Sequence, residues 1–285
     1  MRWTPGGDNP DIEDRRGQSG GGGGFQFGGM HLGLGGLLVL LVLSLIFKQN
    51  FFALLGGGGS TGTTMSQPDP ALDAREKPLY DFISFVLTDT QNTWTEVLPE
   101  QTGRQYRHAK LVLFRDATYS GCGSAQAATG PFYCPGDEKV YIDLGFYDEL
   151  KQRFGAPGEF AQAYVLAHEI GHHVQKVIGV EARVRQLQEQ DRRAVNPLSV
   201  KLELQADCFA GVWAHSTQQR NLLEAGDIDS AIGAAAAVGD DRLQNMSAGR
   251  VSPESFTHGS SAQRTQWFRT GFESGEMKSC NTFGE

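Results

Sequence analysis

The sequence predicts an α+β domain, a small sheet followed by a mostly helical part, carried behind an N-terminal transmembrane helix. Three observations lead there. Two short runs rich in β-branched and aromatic residues, Lys110-Leu111-Val112-Leu113-Phe114 and Lys139-Val140-Tyr141-Ile142-Asp143-Leu144, read as strands. After residue 158 the apolar positions recur instead at three- and four-residue steps, the period of a helix. Ahead of both lies a nearly unbroken apolar run, Leu32 to Phe47. Strands first and helices afterwards is the order of an α+β chain.

Residues 1–31 are rich in glycine, unbroken from Gly20 to Gly24, and mix Arg2, Arg15 and Arg16 with Asp8, Asp11, Glu13 and Asp14. Such a composition buries too little apolar surface to order itself, so a disordered tail is expected. In the run that follows, Ser44 is the only polar residue before Lys48, and Phe51 to Leu55 resume after Lys48-Gln49-Asn50. The first run is slightly short of the ~20 residues of a bilayer span, and 32–55 together are read as the anchor. The long polar leader and the lack of a small-x-small cleavage site argue against a cleaved signal peptide. Arg15 and Arg16 precede the span and only Lys48 follows closely, which puts the tail in the cytoplasm and the domain outside. Residues 56–72, opening with four glycines, read as a flexible linker. The folded domain is expected over 73–285.

Within it, Leu79, Phe82, Phe85, Val86 and Trp94 give helical spacing from Glu76 to Glu96. The turn Cys134-Pro135-Gly136-Asp137 joins Phe132-Tyr133 to the second strand as a hairpin. Four cysteines, Cys122, Cys134, Cys208 and Cys280, allow three pairings, and none has the CxxC spacing of a structural zinc site. Outside the cytoplasm they are expected as disulfides. Cys122–Cys134 would close a loop near the hairpin, and Cys208–Cys280 would tie down the C-terminal tail. A net charge of -8 and a pI near 5.4 argue against a nucleic-acid partner. A later helix starts at Gly226-Asp227, with Ile228, Ile232 and Ala235 on one side.

The chemistry is concentrated in Ala167-His168-Glu169-Ile170-Gly171-His172-His173. Phe160, Ala163, Ala167, Ile170, Val174 and Val177 make this a helix, which Gly179 can end. Positions four apart lie one above the other, so His168 and His172 can offer imidazoles to one ion. Glu169 projects from nearly the same face, where it can act as base toward metal-bound water. Gly171 costs about 1 kcal/mol against alanine in a helix, which points to a close neighbour there. His173 lies about 100° further round and is assigned a structural role, as is His215.

A catalytic zinc ion needs a third protein ligand. Asn196-Pro197 reads as the cap of a further helix, Leu198 to about Thr217, bearing Glu203-Leu204-Gln205-Ala206-Asp207. Glu203 is read as that ligand. Asp207, one turn on, would accept the free N–H of a ligating imidazole. Two acids four apart repel on a solvated face, and a shared positive partner explains their placement. Solvated histidines and an exposed acidic pair are the competing reading of each motif taken alone.

His168-Glu169-x-x-His172 followed by Glu203-x-x-x-Asp207 resembles the zincin proteases whose third ligand is glutamate. With the apolar N-terminal segment, Gly239 to Gln244 and Thr257 to Arg264, the chain resembles the bacterial neutral zinc metallopeptidase family over nearly its whole length. The resemblance implies a zincin-like fold, a Zn²⁺ cofactor, a protein or peptide substrate and a single-pass protein of the bacterial inner membrane with a periplasmic domain. By analogy with membrane zinc proteases, His258 would donate to the oxyanion of the tetrahedral intermediate. Arg264 would orient an acid or the substrate backbone. In zincins the sheet edge beside the metal helix pairs with the substrate, and Gly121 to Ala125 is the expected edge. The alternative function is a catalytically silent binding or scaffold protein of the cell envelope.

Overall fold

A computed structural model describes residues 1–5, 9–17, 70–126, 130–156 and 158–284. The expected anchor at 32–55 and the linker up to residue 69 lie outside these. Among the described residues no helix is long and apolar enough to cross a membrane.

The strands are β1 (Ile12–Asp14), β2 (Lys110–Phe114), β3 (Ala117–Ser120), β4 (Gly123–Gln126), β5 (Phe132–Cys134) and β6 (Lys139–Asp143). Four of them form one sheet in the order β1-β2-β6-β5, while β3 and β4 form a separate antiparallel ribbon. The expected hairpin is present: β5 pairs antiparallel with β6, Phe132 opposite Tyr141 and Cys134 opposite Lys139. β2 runs parallel to β6 and is buried from Leu111 to Phe114, as a continuous apolar run requires.

The disordered tail expected over 1–31 is corrected where the structure describes it. β1 pairs in parallel with β2, Ile12 opposite Leu111 and Asp14 opposite Leu113. The charges that make this stretch look solvated have specific partners. Glu13 meets Lys139 at 2.6 Å, Asp11 meets Lys110 at 2.8 Å, and Arg16 meets Glu76 at 2.9 Å. Trp3 adds an edge-to-face contact with Phe82, 5.3 Å between ring centroids.

The helices are α1 (Pro70–Thr102), α2 (Gly145–Gln152), α3 (Glu159–Ile178), α4 (Val180–Gln190), α5 (Val195–Gln219), α6 (Asp227–Ala237), α7 (Asp240–Ala248) and α8 (Ser261–Ser274). α1 outruns its expected bounds at both ends and buries Phe82, Ile83, Val86, Leu87, Trp94 and Leu98, one helical stripe. α3 is buried through most of its length and ends on Gly179, whose φ of 83° forms the left-handed cap. α5 starts at Val195, not behind an Asn196 cap. Asn196 and Pro197 occupy its first turn, where a proline lacks no needed N–H, and the Asn196 amide donates to the Glu254 carbonyl. α8 opens with a capping box between Ser260 and Gln263.

α3 crosses α5 closely. A Cβ on Gly171 would stand 2.9 Å from the Ala206 carbonyl oxygen, which accounts for a glycine inside a helix. α5 and α8 are closer still: a Cβ on Gly271 would collide with the Cys208 carbonyl. The disulfides are Cys122–Cys134, tying the β3–β4 ribbon to β5, and Cys208–Cys280, tying the C-terminal turn to α5.

Candidate metal centre

One turn of α3 and one of α5 face each other across the Gly171–Ala206 contact, and their polar side chains meet beside it. One ligand atom from each of His168, His172 and Glu203 lies within 4.8 Å of the others. The Glu203 carboxylate spans the pair, 3.2 Å from His168 Nε2 and 3.4 Å from His172 Nε2. The rings stand nearly perpendicular, at 88°, with centroids 4.8 Å apart. Two imidazole nitrogens and one carboxylate are the donor set of a three-ligand zinc site.

The outer nitrogens are engaged, which leaves Nε2 of each ring for an ion. His168 Nδ1–H donates to Asp207 Oδ1 at 2.8 Å, and His172 Nδ1–H donates to Gln175 Oε1 at 2.9 Å. Gln175 is itself held by donating to the Leu202 carbonyl and to Gln205 Oε1. Asp207 is fully buried and accepts from Arg264 Nε at 2.8 Å and Nη2 at 2.9 Å. It also accepts from the Tyr164 hydroxyl at 2.5 Å. Arg264 therefore orients an acid; it is buried against Asp207, not presented to a substrate backbone.

Burial works against a charged imidazole at His168, yet the Asp207 and Glu203 carboxylates raise its pKa to about 10. At Glu203 burial opposes the charge, and the two imidazoles overcome it, holding the carboxyl well below its ordinary range. The pocket thus favours a cation. Glu169, beside the pair and 7% exposed, has its pKa raised chiefly by burial.

His258 lines the same cleft, with its side chain half exposed. Its ring donates to Asp240 Oδ1 at 3.1 Å, while Asp240 Oδ2 accepts the backbone N–H groups of Thr257 and His258 at 2.7 and 2.6 Å. That hydrogen bond raises the His258 pKa. Tyr164 and Asp240 were not singled out from the sequence. Tyr164 carries a readable signal, four residues before His168 on one helix face. Asp240 carries none near His258. His173 points away as expected, accepting from the Tyr133 hydroxyl and donating to the Arg107 carbonyl. His215 donates to the Phe272 carbonyl.

The cleft has a volume of about 510 Å³, and Phe132, Tyr133 and Pro135 form one wall. This corrects the expected edge: Gly121 to Ala125 belong to the turn and second strand of the β3–β4 ribbon, while the sheet edge that packs on α3 is β5. The reason is that the hairpin turn at Pro135 folds β5 back onto the outside of β6.

Over residues 1–283 the chain matches the model of the family described as "Putative neutral zinc metallopeptidase". It is 49% identical over 292 residues to the uncharacterized protein YpfJ of Escherichia coli K12, covering 100% of this chain and 99% of that one. It is 42% identical over 201 residues to an uncharacterized protein of Mycobacterium tuberculosis H37Rv, covering 67% of this chain and 66% of that one. No solved structure matches it. With a family model spanning almost every residue and a full-length relative at that identity, the chain belongs to this zinc metallopeptidase family.

Proposed function

We propose that the protein hydrolyses peptide bonds with a zinc ion held by His168, His172 and Glu203. The observation that carries this reading is the meeting of those three donors, from helices distant in sequence, with Glu169 beside them. A zinc ion held there would lower the pKa of a bound water toward neutrality and would polarise the scissile carbonyl. Glu169 takes the proton from the attacking water and returns it to the leaving amine. His258, its other nitrogen held by Asp240, is the donor available to the developing oxyanion. The Asp207–Arg264–Tyr164 cluster fixes the His168 ring. The open edge of β5 suits an extended peptide laid along it as a further strand, as in zincins.

Residues 32–55 are apolar enough to hold the protein at the bacterial inner membrane; the β1–β2 pairing puts residues 12–14 on the same side as the domain, in place of the expected cytoplasmic tail, and two disulfides support the periplasm for both. Digestion of a peptide library with and without chelator tests the activity. Cleavage should vanish with chelator, return with zinc, and fall at least ~100-fold in Glu169→Gln, which should keep its metal. Glu203→Ala should lose zinc. A zinc-loaded protein that cleaves nothing, or a Glu169→Gln protein that cleaves like wild type, refutes the proposal and leaves a silent envelope scaffold.

A further inference from the structure

From His172 a line of buried amides runs out of the metal centre and ends beside a disulfide. His172 Nδ1–H donates to Gln175 Oε1 at 2.9 Å, Gln175 Nε2 donates to Gln205 Oε1 at 3.1 Å, and Gln205 Nε2 donates to the Cys280 carbonyl at 3.0 Å. Gln175 on α3 is 1% exposed and Gln205 on α5 is 7% exposed. Cys280 closes the 3₁₀ turn Met277–Cys280, and its disulfide reaches Cys208, three residues after Gln205 on the same helix. Buried amides are unfavourable unless their donors and acceptors are matched, and an apolar side chain could fill either position. What the amides add is direction. A carbonyl oxygen only accepts, so Cys280 turns Nε2 of Gln205 toward itself and leaves Oε1 for Gln175. Gln175 must then present its own Nε2 to Gln205 and its Oε1 to His172. The Leu202 carbonyl, 2.7 Å from Gln175 Nε2, takes the second N–H and enforces the same sense. The ring is thereby held with its proton on Nδ1 and with Nε2 turned to the other donors.

We propose that Gln205 is a positioning residue for the zinc ligand His172, carrying to it the restraint of the Cys208–Cys280 disulfide, so that the site reaches its full zinc affinity only once that disulfide has formed. The bond forms by exchange with an oxidising disulfide: the two thiols give up two electrons and two protons, their sulfurs join, and the oxidant leaves as a dithiol. Without it the turn hangs on weaker ties, such as the Thr282 hydroxyl donating to the Lys201 carbonyl at 2.7 Å, and the Cys280 carbonyl can draw off Gln205. The inference rests on the zinc reading of the three donors and not on hydrolysis.

The test is the zinc affinity of the full chain, read by competition against a chromogenic chelator. Gln175→Met removes the direct partner of the ring and should weaken zinc roughly 10–100-fold. Gln205→Met, and Cys208→Ala combined with Cys280→Ala, act further out along the line and should each weaken it about 3–10-fold. Joined in one protein, they should cost no more than the larger of the two alone, because they break one line. Cys122→Ala combined with Cys134→Ala opens the other disulfide and also lowers stability, yet should leave zinc affinity within about twofold of wild type. Co²⁺ loaded in place of zinc reports the ligands by its visible absorption, whose bands should shift in Gln205→Met and stay in place in the Cys122, Cys134 variant. If the Cys208, Cys280 variant does not fold, Gln205→Met still decides the question. Zinc bound by Gln205→Met as tightly as by wild type, fully additive losses, or an equal loss in the Cys122, Cys134 variant overturns the relay and leaves the metal centre intact. A wild-type protein that binds no zinc overturns the zinc reading and this inference with it.

Discussion

Replacing Gly171 with alanine perturbs a close contact between the two helices that carry His168, His172 and Glu203. Gly171 lies between His168 and His172 on α3, and Ala206 lies between Glu203 and Asp207 on α5. The new Cβ would stand 2.9 Å from the Ala206 carbonyl oxygen, 3.1 Å from its Cα and 3.3 Å from its Cβ. None of these atoms can rotate aside. Ordinary contact begins near 3.4 Å, so the helices must part by about 0.5 Å. Metal–ligand distances hold to about 0.2 Å, so the displacement exceeds what the site accommodates, and zinc affinity should fall at least ~10-fold. Stability moves less. Alanine gains about 1 kcal/mol of helix propensity, while overpacking costs about 1–3 kcal/mol, for a net loss of ~0–2 kcal/mol. Gly233→Ala on α6 is the control: its Cβ meets nothing within 4 Å, and Tm should rise by ~2–4 °C. Zinc competition against a chromogenic chelator and thermal unfolding of the metal-free protein read both effects. If Gly171→Ala binds zinc like wild type and melts as high as Gly233→Ala, the helix spacing does not govern the site.

Asp240→Asn should return the His258 pKa toward its ordinary value, read from imidazole shifts by NMR, since the Asp240 hydrogen bond raises it. Because the folded-state pKa of His258 is raised and that of Asp240 lowered, the pair stabilises the fold above the ordinary Asp range. That contribution is lost as pH rises through the His258 titration. The wild-type advantage in denaturant unfolding should shrink accordingly, and a pH-independent difference contradicts the pairing. Removing Cys208–Cys280, which links positions 72 apart, should cost ~4 kcal/mol in denaturant unfolding by the chain-entropy estimate. A loss under ~1 kcal/mol would mean the unfolded chain is not the state it restrains. Since β1 and the rest of the domain share one sheet, single cysteines at the exposed positions Thr4 and Tyr119 should react with an impermeant maleimide from the same side of the membrane. Labelling from opposite sides contradicts the β1–β2 pairing in the cell.

The grouping of His168, His172 and Glu203 was legible because each half of it is local to one helix. His168 and His172 sit one turn apart, Glu203 and Asp207 repeat that spacing, and the cost of Gly171 announced a close crossing. Exclusion of His173 followed from the same angular arithmetic. The hairpin at Pro135 carried ordinary turn residues. What escaped depends on distant partners. β1 is three residues long, too short for periodicity, and its charges look solvated until Lys110, Lys139 and Glu76 are brought beside them. Asp240 stands 18 residues before His258 with no pattern linking them. The sheet edge beside α3 is β5 and not Gly121 to Ala125, because an edge is defined by which strand lacks a neighbour, and that depends on pairing between distant segments.

β1 also acts as a seal. It hydrogen-bonds along β2, the Leu111 amide donating to the Asp11 carbonyl and the Arg15 amide to that of Leu113. Beneath it runs Lys110-Leu111-Val112-Leu113-Phe114, a stretch without proline or glycine and well suited to pairing with another strand. A protein shortened to begin at residue 73, where composition alone would cut it, bares that ribbon of unmet amides and carbonyls. Two such molecules then have a ready template for stacking against each other, so the leading residues guard solubility as much as they complete the sheet.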